Sequence, residues 1–294
     1  MAARLAASRL SLARQVRELG AWRLVAMVAA AGVLLAAPRL AWHAFNLVLG
    51  ASDGSVWQTL VEATRRLPHG SVNLDGAAYR FAWSPYAALL LTAVVPIGLA
   101  AWRIGHLALL PLTRDWRIVG LALLAYPFWL DVERGSLMTL VAVAGVGALR
   151  GGRTWTWVYL GLFILIPHPL LLPLAAWLLW HRPHLRLNFV AVLLAHLSTL
   201  GLLGLLEPWL KALLGAAAAG VADPLNLAPS RWIGAWWTPI GVPLAMLLTW
   251  RGYLGWASLA MSPYLLPYHA LLLLLEFARP ADQRRTQMTA VASA

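Results

Sequence analysis

The chain has 294 residues, of which 61% are hydrophobic and only 12% are charged, and its mean hydropathy is +0.71. A soluble protein of this length needs more polar surface than such a composition supplies, so these values exclude a soluble globular domain and indicate an integral membrane protein. The formal net charge of +12 comes almost wholly from arginine, and in a membrane protein this surplus indicates cytoplasmic loops, not nucleic-acid binding. The absence of cysteine excludes disulfides and thiolate metal sites.

The N-terminal segment 1–21 predicts a basic amphipathic helix on the cytoplasmic surface, not a cleavable signal peptide. It carries four arginines interleaved with apolar residues before any long hydrophobic run: Arg4, Arg9, Arg14 and Arg17. Residues 22–277 then predict one integral membrane domain, because neither an internal repeat nor a shift of composition divides them. Residues 278–294 predict a cytoplasmic tail.

Four apolar segments are long enough to cross a membrane. A helix rises about 1.5 Å per residue and the hydrocarbon core is about 30 Å thick, so about 20 residues are needed. The segments that qualify predict about four full spans: 22–49, 82–102, 187–206 and 232–250. Residues 50–80 lie between the first two spans and predict an external loop. Within this loop four apolar residues recur at helical spacing and predict an amphipathic helix along the outer surface: Val56, Leu60, Ala63 and Leu67.

Six further apolar segments are too short to span, since 14 helical residues cover only about 21 Å: 117–130, 136–149, 155–167, 169–180, 253–261 and 263–276. They come in three pairs, which are flanked by arginines: Arg103, Arg114, Arg117, Arg150, Arg153, Arg182, Arg186, Arg251, Arg279, Arg284 and Arg285. Because positive residues mark the cytoplasmic side, each pair predicts a short helical hairpin whose tip points to the opposite face. The predicted fold is therefore all-α and polytopic.

Polar side chains occupy all three predicted tips, and prolines lie at or beside two of them: 129–135, 166–170 and 262–269. Ionisable residues at membrane depth are tolerated around a protein-lined or water-filled cavity. We therefore expect Asp131, Glu133 and Arg134 to line a site. The alternative interpretation is a loop that simply reaches water.

Two stretches around the external loop carry a family resemblance. Asp53-x-x-Val56-Trp57, followed by a helix and then Tyr79-Arg80-Phe81-x-Trp83-Ser84-Pro85, resembles the start of glycosyltransferase family 87. This family belongs to the GT-C superclass and includes bacterial polyprenol-phosphate-mannose-dependent α-mannosyltransferases. The Gly135-Ser136 turn, the His168-Pro169 hairpin and the final Ser262-Pro263-Tyr264…Tyr268-His269 are also similar to it. The resemblance covers roughly residues 45–275, with two departures. The chain is short for the family, and its first tip reads Glu-Arg-Gly where a Gly-Gln pair is expected.

The resemblance implies a GT-C-like fold and transfer of a sugar, with mannose the expected one, from a polyprenyl phosphate to an acceptor outside the cytoplasm. Asp53 is then the general base, and Arg80 and Arg134, supported by His269, bind the leaving phosphate. The wall of the site is formed by Trp83, Tyr264 and Tyr268, and the remaining substrate contacts are Glu133 and His168. Some enzymes of this fold use a divalent metal, but no carboxylate cluster here is dense enough to indicate one, and no cofactor is expected.

The expected partners are a polyprenyl-phosphate lipid, the membrane, and a glycan, lipid or protein acceptor, and the expected location is the inner membrane with a cytoplasmic N-terminus. Each residue has a structural alternative. Asp53 is also placed to cap a helix, Glu133 and Arg134 to pair with each other, His168 to cap a broken helix, and His269 to bond a carbonyl freed by Pro267. The functional alternatives are a flippase or transporter of lipid-linked glycans, for which the chain lacks matching halves, and a non-catalytic subunit of a larger membrane complex.

Overall fold

The computed structural model describes residues 55–66, 83–222 and 226–278. These residues form helices joined by short turns, and no strand occurs among them, so the all-α prediction is confirmed for this part of the chain. The predicted cytoplasmic helix 1–21, the predicted span 22–49 and all of the predicted tail except Ala278 lie outside the described residues.

The α-helices are numbered here in chain order. They are α1 (Ser55–Arg66), α2 (Pro85–Val94), α3 (Gly98–Leu109), α4 (Trp116–Leu124), α5 (Tyr126–Arg134), α6 (Met138–Leu149), α7 (Arg153–Leu165), α8 (Leu172–His181), α9 (Arg186–Leu202), α10 (Leu206–Ala222), α11 (Ser230–Ile233), α12 (Trp237–Arg251) and α13 (Leu254–Met261). Short 3₁₀ turns extend several of them, and a longer 3₁₀ helix, Pro267–Phe277, follows α13.

Three helical stretches are long and apolar enough to cross a membrane: Pro85–Thr113, Pro183–Leu202 and Ser230–Arg251. They correspond to three of the predicted long segments. The first of them, Pro85–Thr113, covers most of the predicted segment 82–102 but is not one regular α-helix, because the chain breaks between α2 and α3. Pro96 has no N–H for the helix ladder, and Gly98 adopts φ 82° and ψ 161°, which is not helical. The helical stretch that begins at Pro85 therefore consists of two shorter pieces.

The first hairpin rises through α4 and α5 and returns through α6. The predicted single segment 117–130 is divided, because Ala125 is extended (φ −93°, ψ 125°) and Pro127 opens a new helix. The indole N–H of Trp129 donates to the carbonyl of Leu123 at 2.8 Å, which satisfies one of the carbonyls released at the break. At the top of α5, Gly135 takes the left-handed conformation (φ 67°) that ends the helix.

The second hairpin consists of α7 and α8, and the third of α13 and the final 3₁₀ helix, close to the predicted pairs. The eleven-residue 3₁₀ helix is unusually long, and with three residues per turn its side chains form three rows. Two rows are buried against the other hairpins: Tyr268, Leu271 and Leu274, and His269, Leu272 and Leu275. The third row is partly exposed. Because the 3₁₀ helix has three residues per turn, two of every three side chains face the other hairpins.

Arg150 joins the bases of the first and third hairpins. Its guanidinium donates to the carbonyl of Thr113 and to the carboxylate of Asp115, which precede α4. Its Nε also donates to the carbonyl of Ala278, just after the final helix, at 3.4 Å.

Arg182 and Glu276 complete the joined bases. Arg182 donates to the Thr156 hydroxyl and to the carbonyl of Ala148 at 2.8 Å, which links the second hairpin to the first. Glu276 accepts the backbone N–H of Gly255 at 2.7 Å and so closes the third hairpin. Arg150, Arg182 and Glu276 thus join the ends of the short helices at one side of the molecule.

The main apolar core lies between the three hairpins, where Phe128, Tyr159 and Leu174 are fully buried. A second, smaller cluster joins α1 to α2. The predicted apolar positions Leu60 and Ala63 are buried in this second cluster. The predicted amphipathic helix is thus confirmed over Ser55–Arg66, with its apolar face packed on α2, while the predicted apolar position Leu67 lies outside the described residues.

Candidate functional site

The hairpin tips lie together at the end of the molecule opposite the joined bases. The twelve residues of α6 place the first tip about 18 Å from its base. Ser84 reaches the tip of the second hairpin, because its backbone N–H donates to the carbonyl of Leu165 at 2.8 Å. The predicted site residues that the structure describes all lie at this tip end: Trp83, Glu133, Arg134, His168, Tyr264, Tyr268 and His269.

Four of these residues form a compact group, which we call the tip cluster: His168, Tyr264, Tyr268 and His269. The ring centroids of the two histidines lie 5.2 Å apart. The His269 ring lies 4.7 Å from Tyr268 and 5.8 Å from Tyr264, and the His168 ring lies 6.5 Å from Tyr264. The second and third hairpins therefore bring together residues about a hundred positions apart in the sequence.

Both histidines of the tip cluster hold one tautomer by accepting a backbone N–H. The Leu170 N–H donates to Nδ1 of His168 at 3.2 Å, and the Leu266 N–H donates to Nδ1 of His269 at 3.0 Å. A neutral imidazole that accepts at Nδ1 carries its proton on Nε2. The cluster therefore contains two Nε2–H donors, one on each histidine.

These contacts decide two of the structural alternatives. His168 caps the helix that starts at Pro169, as expected of a residue between two prolines. The expectation that His269 bonds a carbonyl freed by Pro267 is wrong. Its Nδ1 instead accepts the N–H of Leu266, because the proline begins a new helix and the residue before it needs an acceptor.

The third tip is fixed from outside by Asn226 and Ser230. The Asn226 side chain accepts the Leu265 N–H at 2.9 Å and donates to the carbonyl of Pro263 at 3.3 Å. The Ser230 hydroxyl donates to the same carbonyl. Asn226 and Ser230 thus support the tip next to Tyr264.

Asp131 has a structural role, and the expectation that it lines a cavity is wrong. It is fully buried, and its carboxylate accepts the N–H of Met138 at 3.3 Å and the N–H and hydroxyl of Thr139 at 2.8 and 2.6 Å. These are unsatisfied donors at the start of α6, where a negative charge is favourable. Asp131 therefore connects α5 to α6.

Arg103 lies at the first tip, not in a cytoplasmic loop as predicted. It is only 8% exposed, and its guanidinium donates to the carbonyls of Val132 and Glu133 at 3.2 and 2.8 Å. These carbonyls end α5, where a cation is favourable. The break at Gly98 places α3, and with it Arg103, beside the first tip. In the sequence, the only indication that Arg103 binds the end of α5 is that it interrupts an apolar run.

His106 extends the same network. Its Nδ1 lies 2.9 Å from the carbonyl of Trp102 and its Nε2 lies 2.8 Å from the carbonyl of Ser136. The Oδ2 atom of Asp131 lies 3.5 Å from the same Nε2. His106 therefore connects α3 to the turn after α5.

Glu133 and Arg134 leave α5 in different directions. Successive residues of an α-helix point about 100° apart, and Glu133 is 1% exposed whereas Arg134 is half-buried. This divergence does not favour a pair that serves only to steady the turn. Arg134 is the more accessible of the two for a ligand.

Ser84 and His196 form a polar contact between helices that the sequence did not reveal. The Ser84 hydroxyl lies 3.1 Å from Nε2 of His196 on α9 and also accepts the Tyr86 N–H at 3.3 Å. It links the start of α2, next to Trp83, to the long helix α9. No local motif joins residues 112 positions apart.

Asp53 and Arg80, the predicted base and a predicted phosphate ligand, lie outside the described residues. Within the described ranges no group of three or more histidines and carboxylates is placed to hold a metal ion. Comparison with protein-family models, curated proteins and solved structures found no match of any kind.

Proposed function

We propose that this chain is a polytopic membrane glycosyltransferase of the GT-C type that uses a polyprenyl-phosphate sugar, with mannose the expected sugar. The tip cluster is the observation that supports the proposal most, because two histidine N–H donors and two tyrosine rings meet at one end of an apolar bundle. An anionic headgroup attached to an apolar chain matches donors of this kind placed in such surroundings.

In the proposed membrane placement the hairpin bases face the cytoplasm, because the exposed arginines follow the positive-inside rule there. The three apolar helical stretches cross the bilayer in this placement. The tip cluster then lies toward the non-cytoplasmic side. This is where a lipid-linked donor and an external acceptor meet.

The proposed reaction forms one bond and breaks one. The acceptor hydroxyl oxygen attacks the anomeric carbon, and the bond between that carbon and the phosphate oxygen breaks. The hydroxyl proton passes to the carboxylate of Asp53, a form of general-base help worth about 10² to 10⁴ in rate. The lipid phosphate leaves with the bonding electrons. Arg80, Arg134 and the Nε2–H groups of His168 and His269 stabilise its charge.

The first test compares the full chain with Asp53→Asn in a transfer assay with radiolabelled polyprenyl-phosphate mannose and a membrane lipid extract. Loss of transfer in Asp53→Asn supports the proposal, provided that Asp75→Asn, a matched change in the same predicted loop, transfers normally. Transfer that is unchanged in Asp53→Asn would contradict the role of Asp53 as general base but would still be consistent with a glycosyltransferase. A well-folded protein that uses no polyprenyl-phosphate sugar instead points to the non-catalytic subunit.

The second test separates structural from chemical roles in the tip cluster. In His168→Asn and His269→Asn the amide oxygen takes the position of Nδ1 and still accepts the backbone N–H, but the Nε2–H donor is lost. We expect an unchanged melting temperature and about 10²-fold slower turnover, as for loss of one preorganised donor. His184→Asn, an exposed histidine at the hairpin bases, is the matched control. Normal turnover in both tip variants contradicts a phosphate role.

A further inference from the structure

The end of the molecule that contains the hairpin bases carries a strong excess of positive charge. Five arginines are exposed there: Arg114, Arg117, Arg153, Arg186 and Arg251. The carboxylates at this end are already engaged, since Asp115 pairs with Arg150 and Glu276 accepts the backbone N–H groups of Gly255 and Trp256. The described part of the chain thus leaves these five guanidinium groups without a carboxylate partner.

One of these arginines stands where its own helix disfavours it. Arg153 begins α7, which has no acidic residue in its first turn, whereas the start of α4, where Arg117 lies, is capped by the carboxylate of Asp115. The helix dipole opposes a cation at the start of α7 and favours an anion. Arg186 also begins a helix, but its hydrogen bonds to the carbonyls of Leu179 and Trp180 at 2.8 and 3.1 Å explain it. Among the described residues, Arg117 and Arg153 make no comparable hydrogen bond with their guanidinium groups.

Exposed indoles accompany the arginines. Trp116, Trp180 and Trp250 are 79%, 76% and 69% exposed. The guanidinium carbons of Arg117, Arg186 and Arg251 lie 5.8, 6.0 and 5.7 Å from the centroids of these rings, respectively. An exposed indole beside an arginine fits the headgroup region of a bilayer, where the ring has apolar contacts and the guanidinium reaches phosphate.

We propose that these residues form a binding surface for the phosphate groups of anionic phospholipids. We call it the arginine–tryptophan rim and define it as Arg117, Arg153, Arg251, Trp116, Trp180 and Trp250. Three features favour a lipid headgroup: the uncompensated charge, Arg153 at a helix start that favours an anion, and the exposed indoles beside the arginines. The inference rests on the proposed membrane placement and is independent of sugar transfer.

The test measures which lipids stay with the protein. The full chain is reconstituted in nanodiscs of phosphatidylcholine with a minority of phosphatidylglycerol and is then extracted in mild detergent. Mass spectrometry gives the ratio of the two bound lipids relative to the starting mixture. We expect enrichment of phosphatidylglycerol in the wild type. Each arginine near an anionic surface contributes roughly five-fold, so the triple variant Arg117→Gln/Arg153→Gln/Arg251→Gln is expected to return to the starting ratio.

The matched control removes three exposed cations that lie outside the rim: Arg65→Gln/Lys211→Gln/Arg231→Gln. It changes the net charge equally and is expected to keep the enrichment. No enrichment in the wild type, full enrichment in the rim variant, or equal loss in the control would each overturn the proposal. If the triple variant does not fold, Arg251→Gln alone tests it, with an expected loss of roughly five-fold. Transfer activity is not measured, so the outcome is separate from the proposed reaction.

Discussion

Three helical glycines allow the packing of the hairpins to be tested by the same change, glycine to alanine. A methyl group at Gly255 would lie 2.6 Å from the carbonyl oxygen of Leu272 and 3.0 Å from the Cα of Leu273, which are backbone atoms of the final helix. At Gly145 it would meet the ends of the Leu275 and Leu174 side chains at 2.7 and 3.0 Å.

Gly161 is the matched control, because a methyl group there would have no neighbour within 4 Å. Alanine stabilises a helix interior by about 0.5 to 1 kcal/mol relative to glycine, so Gly161→Ala is expected to gain that amount. Overpacking costs about 1 to 3 kcal/mol. Gly145→Ala is expected near the lower limit, since leucine ends can rotate, and Gly255→Ala near the upper limit, since backbone cannot yield cheaply.

The expected order of stability is Gly161→Ala, wild type, Gly145→Ala and then Gly255→Ala. Thermal unfolding of the purified variants in one detergent, followed by intrinsic tryptophan fluorescence, measures it. Equal melting temperatures for Gly255→Ala and Gly161→Ala would refute the close approach of α13 to the final helix.

Three further predictions concern single side chains, each measured by thermal unfolding in detergent. Asp131→Ala leaves buried N–H groups at the start of α6 without an acceptor and is expected to lower the free energy of unfolding by about 3 kcal/mol. Asp131→Asn keeps one acceptor oxygen and is expected to lower it by less. Equal losses in the two variants would contradict the role of Asp131 as a helix cap. Gly135→Ala forces alanine to φ 67° with its Cβ 2.9 Å from that of Trp57, so a loss of at least about 1 kcal/mol is expected, and no loss would contradict this turn. Burial alone would raise the pKa of Asp115, but hydrogen bonds from Arg150 and from the backbone outweigh it and hold the pKa below its usual value. The Asp115–Arg150 pair stabilises the folded protein by less than about 1 kcal/mol, because it is exposed. This stabilisation is present above the ordinary carboxyl pKa of about 3.9. It is lost as the pH falls through the lower pKa that Asp115 has in the folded protein. The difference in melting temperature between wild type and Asp115→Asn should therefore shrink on acidification, and a difference that grows would contradict the pair.

The hairpins could be predicted because hydropathy and charge are local properties of the sequence. Short apolar runs between arginines define both their lengths and their pairing, and Arg150 and Arg182 indeed hold the bases together. The prolines beside His168 and His269 likewise indicated where the tips lie. The ring contacts of the tip cluster follow from tips that share one end of a bundle.

The first tip was predicted less well, because its contacts depend on distant parts of the chain. The left-handed conformation of Gly98 is needed before Arg103 can reach the carbonyls of Val132 and Glu133, and nothing in the local sequence requires it. Asp131 caps a helix that begins seven residues later, a spacing outside any capping motif. The aspartate therefore looked available for a ligand although its oxygens are engaged.

The short hairpins also have a consequence for the surrounding lipid. About 18 Å of α6 stands against a hydrocarbon core of about 30 Å, a mismatch of about 12 Å. A bilayer responds to such a mismatch by thinning locally, at fractions of a kcal/mol per Å. In the proposed placement this thinning draws the outer headgroups inward, toward His168 and His269. In the proposed reaction, a lipid-linked sugar thereby reaches the tips while its isoprenoid chain stays in the bilayer.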